Sequence, residues 1–242
     1  MKKLILSLAM VFIATGALSN LSAAARNPSN LSREYIVGTS DLSRWLCGVY
    51  GDQWERELRV ADAGMAGTVK SAKFMGYVGY DVLPWLNAYV AAGESDTELG
   101  MRGSGDGAVA VGGGLQFSII DVDIPDPGLM EDRLRLNASL EGTYTSTDFM
   151  DDSISWYEIY ADLTVALVND TFDATVVSLE GIALFTGPFY STLISDDLEG
   201  SEKQQVGWAV GAEIFITKRV SLNARYLAAD AAGFSAGINV RF

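Results

Sequence analysis

From residue 43 to residue 242, apolar side chains recur at every second position. That is the period of a β-strand whose two faces meet different surroundings. At the C-terminal end Phe234, Ala236, Ile238, Val240 and Phe242 form one face, and Ser235, Gly237, Asn239 and Arg241 form the other. Val220, Leu222, Ala224 and Tyr226 alternate with Ser221, Asn223 and Arg225. Trp208, Val210, Ala212, Ile214 and Ile216 alternate with Gly207, Ala209, Gly211, Glu213 and Phe215. The same pattern runs through 157–167, 134–144, 109–119 and 86–93, giving seven clear strands. Three more are weaker. In 43–57, Trp45, Cys47 and Val49 oppose Arg44, Gly48 and Tyr50, and in 71–81, Ala72, Phe74, Val78 and Tyr80 oppose Lys73, Met75, Tyr77 and Asp81. In 174–189 the stretch after Glu180 is apolar on both faces, which suggests a bulge. The prediction is an all-β, closed antiparallel barrel of ten strands, or of eight if two of the weak ones do not form.

The connections predict an orientation. Short turns at 82–84, 169–171 and 217–219 alternate with longer polar stretches at 93–107, 146–153 and 191–204, as in outer-membrane barrels. Two connections break this alternation: 121–132 is long on the short side, and 228–233 is short on the long side.

The placement of charge separates a membrane barrel from other alternating sheets. In the seven clear strands the interior charges are Arg135, Glu141, Glu158, Asp162, Glu213, Arg225 and Arg241, all on the face opposite the apolar residues. A lipid-facing Arg or Lys at the bilayer midplane costs about 2–4 kcal/mol. A soluble sandwich would also carry charges on one face, so three further features matter. The polar face is rich in small residues and pairable charges rather than in lysine. Aromatics gather at strand ends, where interfacial girdles lie: Tyr80, Trp85 and Phe172 near short turns, and Trp156, Tyr157, Phe189 and Tyr190 near long loops. The chain also ends on an aromatic residue, Phe242.

The N-terminus adds an address. Met1-Lys2-Lys3, an apolar run over 4–14 and Ala23-Ala24-Ala25 before Arg26 read as a cleaved signal peptide over 1–25, followed by a periplasmic segment over 26–42 and the barrel over 43–242. No later stretch is apolar and charge-free for 18 residues, so no transmembrane helix is expected. The net charge is −14, and about −16 once the two signal lysines are gone, which argues against nucleic acid as a partner. The single cysteine, Cys47, excludes an intrachain disulfide and is predicted to face lipid.

Gly233-Phe-Ser-Ala-Gly-Ile-Asn-Val-Arg-Phe242 resembles the C-terminal strand of bacterial outer-membrane β-barrel proteins, whose terminal aromatic and alternating apolar positions are read by the barrel assembly machinery. Tyr77-Val-Gly-Tyr-Asp-Val-Leu-Pro-Trp-Leu86 resembles the strand–turn–strand units of small porin-like members. The resemblance implies a Gram-negative-type outer membrane, both chain ends in the periplasm and an even strand count. It implies outer-membrane lipid, lipopolysaccharide and the assembly machinery as partners, with Phe242 as the assembly signal. It implies no substrate.

Composition narrows the chemistry. The chain has no histidine, which removes Ser-His and Cys-His catalysis and the commonest transition-metal ligand. The charged residues expected to line the lumen are Lys73, Arg135, Glu141, Glu158, Asp162, Glu180, Glu213, Arg225 and Arg241. They read as a salt-bridge network, with Glu213 diagonally opposite Arg225 across a short turn, rather than as a carboxylate dyad for acid–base work. Two acidic stretches carry oxygen ligands of the kind Ca²⁺ takes: Asp121, Asp123, Asp126, Glu131 and Asp132, and Asp196, Asp197, Glu199 and Glu202. Neither has EF-hand spacing, and both read as solvated loops. Gly112-Gly113-Gly114 precedes no helix, so it is read as room for a bulky neighbour rather than as a phosphate loop. No catalytic residue, cofactor or metal site is expected. The expected function is a non-enzymatic, porin-like narrow pore or closed structural barrel. Recognition of a solute or surface ligand by the loops comes second, and a histidine-free carboxylate enzyme third.

Overall fold

A computed structural model describes residues 42–60, 65–99, 103–104, 106–124, 132–149, 152–169, 173–174, 177–195, 205–229 and 232–242. The signal peptide and nearly all of the periplasmic segment predicted above lie outside them. Ten long strands are present: β1 (Trp45–Val60), β2 (Met65–Leu83), β3 (Leu86–Leu99), β4 (Asp106–Ile124), β5 (Asp132–Phe149), β6 (Asp152–Asn169), β7 (Gly181–Ile194), β8 (Gln205–Thr217), β9 (Val220–Ala228) and β10 (Gly233–Arg241). Each pairs antiparallel with its neighbours in the chain, and β10 closes on β1 from Leu46↔Arg241 to Trp54↔Gly233. Closure gives each of the ten strands a partner on both sides. All three weak strands form.

The strands outrun their apolar patterns. β1 continues to Val60, β3 to Leu99 and β5 to Phe149, so much of 93–107 and 146–153 is strand rather than loop. Short and long connections therefore do not sort to opposite ends. The strands on either side of 61–64 and of 150–151 meet at the end away from the chain termini (the distal end), while those on either side of 125–131 meet at the terminal end. Alternation is demanded only where hydrocarbon meets the wall, whereas ladder hydrogen bonds continue beyond it. Glu94 directly opposes Phe74 and Val109, and it opens an exposed acidic outer face with Asp96 and Glu98.

The bulge expected in 174–189 is elsewhere. β7 pairs in constant register with both neighbours; its ladder to β6 merely omits Gly187 and Pro188, and proline has no N–H to give. Register shifts lie instead near the turns, at Asp81/Leu83 and Phe215/Thr217, and in β4, at Asp106/Val109 and where Ser118↔Asn137 is followed by Ile120↔Leu136. The extra residue turns Ile120, Val122 and Ile124 outward and Asp121 inward.

Directly opposed residues reveal the tilt. From Tyr50 one row runs through Met75, Gly93, Ala110 and Thr145 to Trp156 on β6. In the other direction it runs through Gly237, Asn223, Glu213 and Ala183 to Val168 on the same strand. A stagger from 156 to 168 around ten strands requires strands inclined by roughly 35–45°.

The outer face is apolar and exposed: Val90 is 69% exposed, Phe74 64% and Leu184 57%. At the terminal end Trp45 packs on Tyr80 with ring centroids 4.9 Å apart, and Trp85 stacks on Phe117 at 6.4 Å. Toward the distal end Tyr144 packs on Tyr157 at 4.9 Å. Tyr80, Trp85 and Tyr157 thus lie on the outer surface as predicted for girdles. Trp156 and Phe189 do not: both point inward and are buried, because their parity on the strand is that of the interior. Phe172 lies outside the described residues.

Candidate functional site in the lumen

The inner face is where this chain concentrates its ionisable groups. Lys73, Arg135, Glu141, Glu158, Asp162, Glu213, Arg225 and Arg241 are all buried there. They are joined by Asp52, Arg56 and Arg133, which the sequence reading did not single out, and by Asp81, which it placed on an interior face. Glu180 is a correction. It is exposed, precedes β7 and donates its backbone N–H to the Phe215 carbonyl, so it stands at the rim. Asp121, read as a loop acid, is instead a lumen residue, brought inward by the β4 bulge.

Glu158 on β6 is the central acceptor. Its Oε1 lies 2.6 Å from Arg56 Nη2 of β1, and its Oε2 lies 2.8 Å from Lys73 Nζ of β2. Arg56 Nη2 also donates to Ser191 Oγ at 2.5 Å. In a ten-strand ring β1 and β6 are diametrically opposed, so these bonds cross the whole lumen. Around them packs an apolar cluster that includes Trp54, Val69, Ile154, Trp156, Phe189, Leu193 and Leu227. The Arg56 guanidinium lies 4.8 Å from the Trp54 ring, adding a cation–π contact.

The other ion pairs span less. Arg225 of β9 reaches Asp162 at 2.8 Å and the Tyr160 hydroxyl at 3.0 Å, both on β6. Arg241 pairs with Asp81, which also accepts from Asn87 at 2.9 Å. Arg135 and Arg133 share Asp121 at 3.2 and 3.6 Å. The predicted Glu213–Arg225 partnership is another correction. Ser221 donates to Glu213 at 2.5 Å and Asn239 at 3.3 Å, while Arg225 turns to Asp162. Strand tilt brings the β6 acid level with the arginine, which pairing across a turn could not foretell. Glu141 accepts from Tyr89 at 2.5 Å and Thr143 at 3.3 Å.

Inward glycines let aromatics lie flat against the wall. Tyr77 faces Gly48, Tyr89 faces Gly114, Phe189 faces Gly207 and Phe185 faces Gly211, each as a directly opposed pair. A Cβ on Gly114 would stand 2.7 Å from the Tyr89 hydroxyl oxygen and 2.6 Å from the Leu140 carbonyl. This is the room that the Gly112–Gly114 run was read as providing.

Among the described residues side chains occupy much of the interior. Between Arg135, Asn137, Thr164, Glu213 and Arg225 lies a cavity of about 20 Å³, room for about one water molecule. Among the described residues no group of His, Cys, Asp and Glu could hold a metal ion. Asp126, Glu131, Asp196, Asp197, Glu199 and Glu202 fall outside those residues. Cys47 is partly exposed on the outer face.

No family model matches this sequence, and no curated protein matches it. Among solved structures it is similar to an outer membrane channel from Pseudomonas putida F1, at 8% identity over 90% of this chain and 100% of that chain, with a TM-score of 0.44. It is also similar to the translocator domain of the autotransporter NalP from Neisseria meningitidis, at 9% identity over 85% and 90% of the two chains, with a TM-score of 0.37. The chain itself is a ten-stranded, closed, all-antiparallel barrel with an apolar outer face and an ionic interior.

Proposed function

We propose that this chain is an integral, non-enzymatic barrel of a Gram-negative-type outer membrane, closed across its lumen at rest, with both termini in the periplasm. One observation carries the reading. Apolar stripes are exposed all round the wall while ions are buried inside, and one carboxylate, Glu158, ties opposite walls together through an apolar plug. A soluble barrel would carry the reverse polarity. Phe242, exposed beside Trp45 at the closing seam and donating its N–H to the Trp45 carbonyl, supports its reading as the assembly signal. The test is conductance in planar bilayers. The wild-type barrel stays silent, and a Trp156→Ala/Glu158→Ala variant that retains heat-modifiable gel mobility gives discrete steps. Wild-type steps in clean reconstitutions would sink the closed reading. An unshifted band recovered with soluble periplasmic protein would sink the membrane reading itself.

A further inference from the structure

The buried polar atoms of the lumen that lack a hydrogen-bond partner differ between its two ends. At the distal end, among the described residues, they include Trp54 Nε1, Trp156 Nε1, Arg56 Nε and Nη1, and the Thr145 and Thr147 hydroxyls. All of these can donate. Toward the terminal end donors and acceptors are mixed, Asn223 Nδ2 standing among Asn87 Oδ1, Asp121 Oδ1 and Asp162 Oδ1. Buried polar groups are nearly always bonded, so the distal concentration of donors needs an explanation.

The distal donors share one place. Trp54 and Trp156 belong to the same packed cluster, and Arg56 lies over the Trp54 ring. Thr145 directly opposes Trp156, and Thr147 opposes Ile154. Glu158 and Ser191 occupy Nη2 of Arg56, which leaves its other two nitrogens to give. This part of the lumen therefore combines apolar side chains with a guanidinium, two indole N–H groups and two hydroxyls. That combination suits a ligand with an apolar body and a planar oxyanion, since guanidinium and carboxylate match in geometry and charge.

We propose that the distal plug binds a small organic carboxylate, whose oxygens take the donors of Arg56, Trp54 and Trp156 while its apolar body parts the side chains around Leu193 and Phe189. The site does not require the barrel to be non-conducting, and it is tested without a membrane. Refolded full-length barrel in detergent micelles is titrated calorimetrically with benzoate, with benzyl alcohol as the neutral analogue and with inorganic phosphate. Benzoate binds saturably, and tighter than either control. Trp54→Phe and Trp156→Phe keep a ring and remove the N–H; each weakens benzoate about tenfold, with gel mobility confirming a folded barrel. The absence of saturable benzoate binding to folded wild type would overturn the proposal. So would equal affinity for benzyl alcohol or phosphate, or wild-type affinity in both phenylalanine variants.

Discussion

The two ends of the lumen are built from the same residue types but connected differently. At the terminal end the bonds join near neighbours in the wall: Asp121 to Arg135, its directly opposed residue, and Ser221 to Asn239, likewise opposed. At the distal end Glu158 reaches across the full diameter to Arg56 and Lys73. Short bridges fix register between adjacent strands; only the long one closes the lumen. The lesson is that ionic content alone does not make a constriction. What matters is how many strands each pair spans.

The sharpest way to break this contrast is to remove each central acid. Glu158→Ala leaves two buried cations without their shared partner and is expected to cost about 3–5 kcal/mol. Asp121→Ala removes an acceptor shared by two arginines near the strand ends, close to the rim marked by exposed Asp123, and is expected to cost about 1–3 kcal/mol. Urea unfolding in lipid vesicles, followed by gel mobility, reads both. Equal costs would mean that the diametric bridge has no special status.

The next effect concerns the wall between the two ends. Gly114→Ala places a methyl group against the Tyr89 ring and the Leu140 carbonyl, and backbone cannot yield as a flexible side chain would. An overpacking cost of about 1–3 kcal/mol is expected by the same unfolding assay. Tyr77→Phe is milder. It removes a hydroxyl that donates to Asn239 Oδ1 at 2.6 Å, a bond that skips over β1, and about 1 kcal/mol is expected. An effect as large as that of Glu158→Ala would move the keystone to the terminal end.

These contrasts also show what was legible in the sequence. Parity was: Trp45, Cys47 and Val49 face outward, and Arg135, Glu141, Glu158 and Asp162 inward, because a period of two leaves each side chain only two directions. Strand ends were not, since Glu94, Asp96 and Glu98 read as loop once hydrocarbon no longer imposes alternation. Nor were the partners. Arg56 meets Glu158 only after closure and tilt set which rows share a height, and neither appears in a local window. The inward face of β7, with Ala183, Phe185, Phe189 and Leu193, looked like a bulge because an apolar plug removes the polar half of the pattern. Glu180 was assigned to the lumen because its strand was begun too early.

The smallest expected effect tests the premise beneath the comparison, that the outer face meets hydrocarbon. Gly142 lies on that face, directly opposed to Gly113 and Ile159, and a Cβ built there meets nothing within 4 Å. In lipid, Gly142→Ala adds one methyl to an apolar surrounding and narrows the unfolded chain's freedom. Both favour the folded state, so stability should hold or rise by up to about 1 kcal/mol. The same substitution at Gly114, one position along the opposed strand from Gly113 and on the opposite face, loses stability. A loss at Gly142 matching that at Gly114 would mean this surface packs against protein, and the wall would then not be a lipid-facing one.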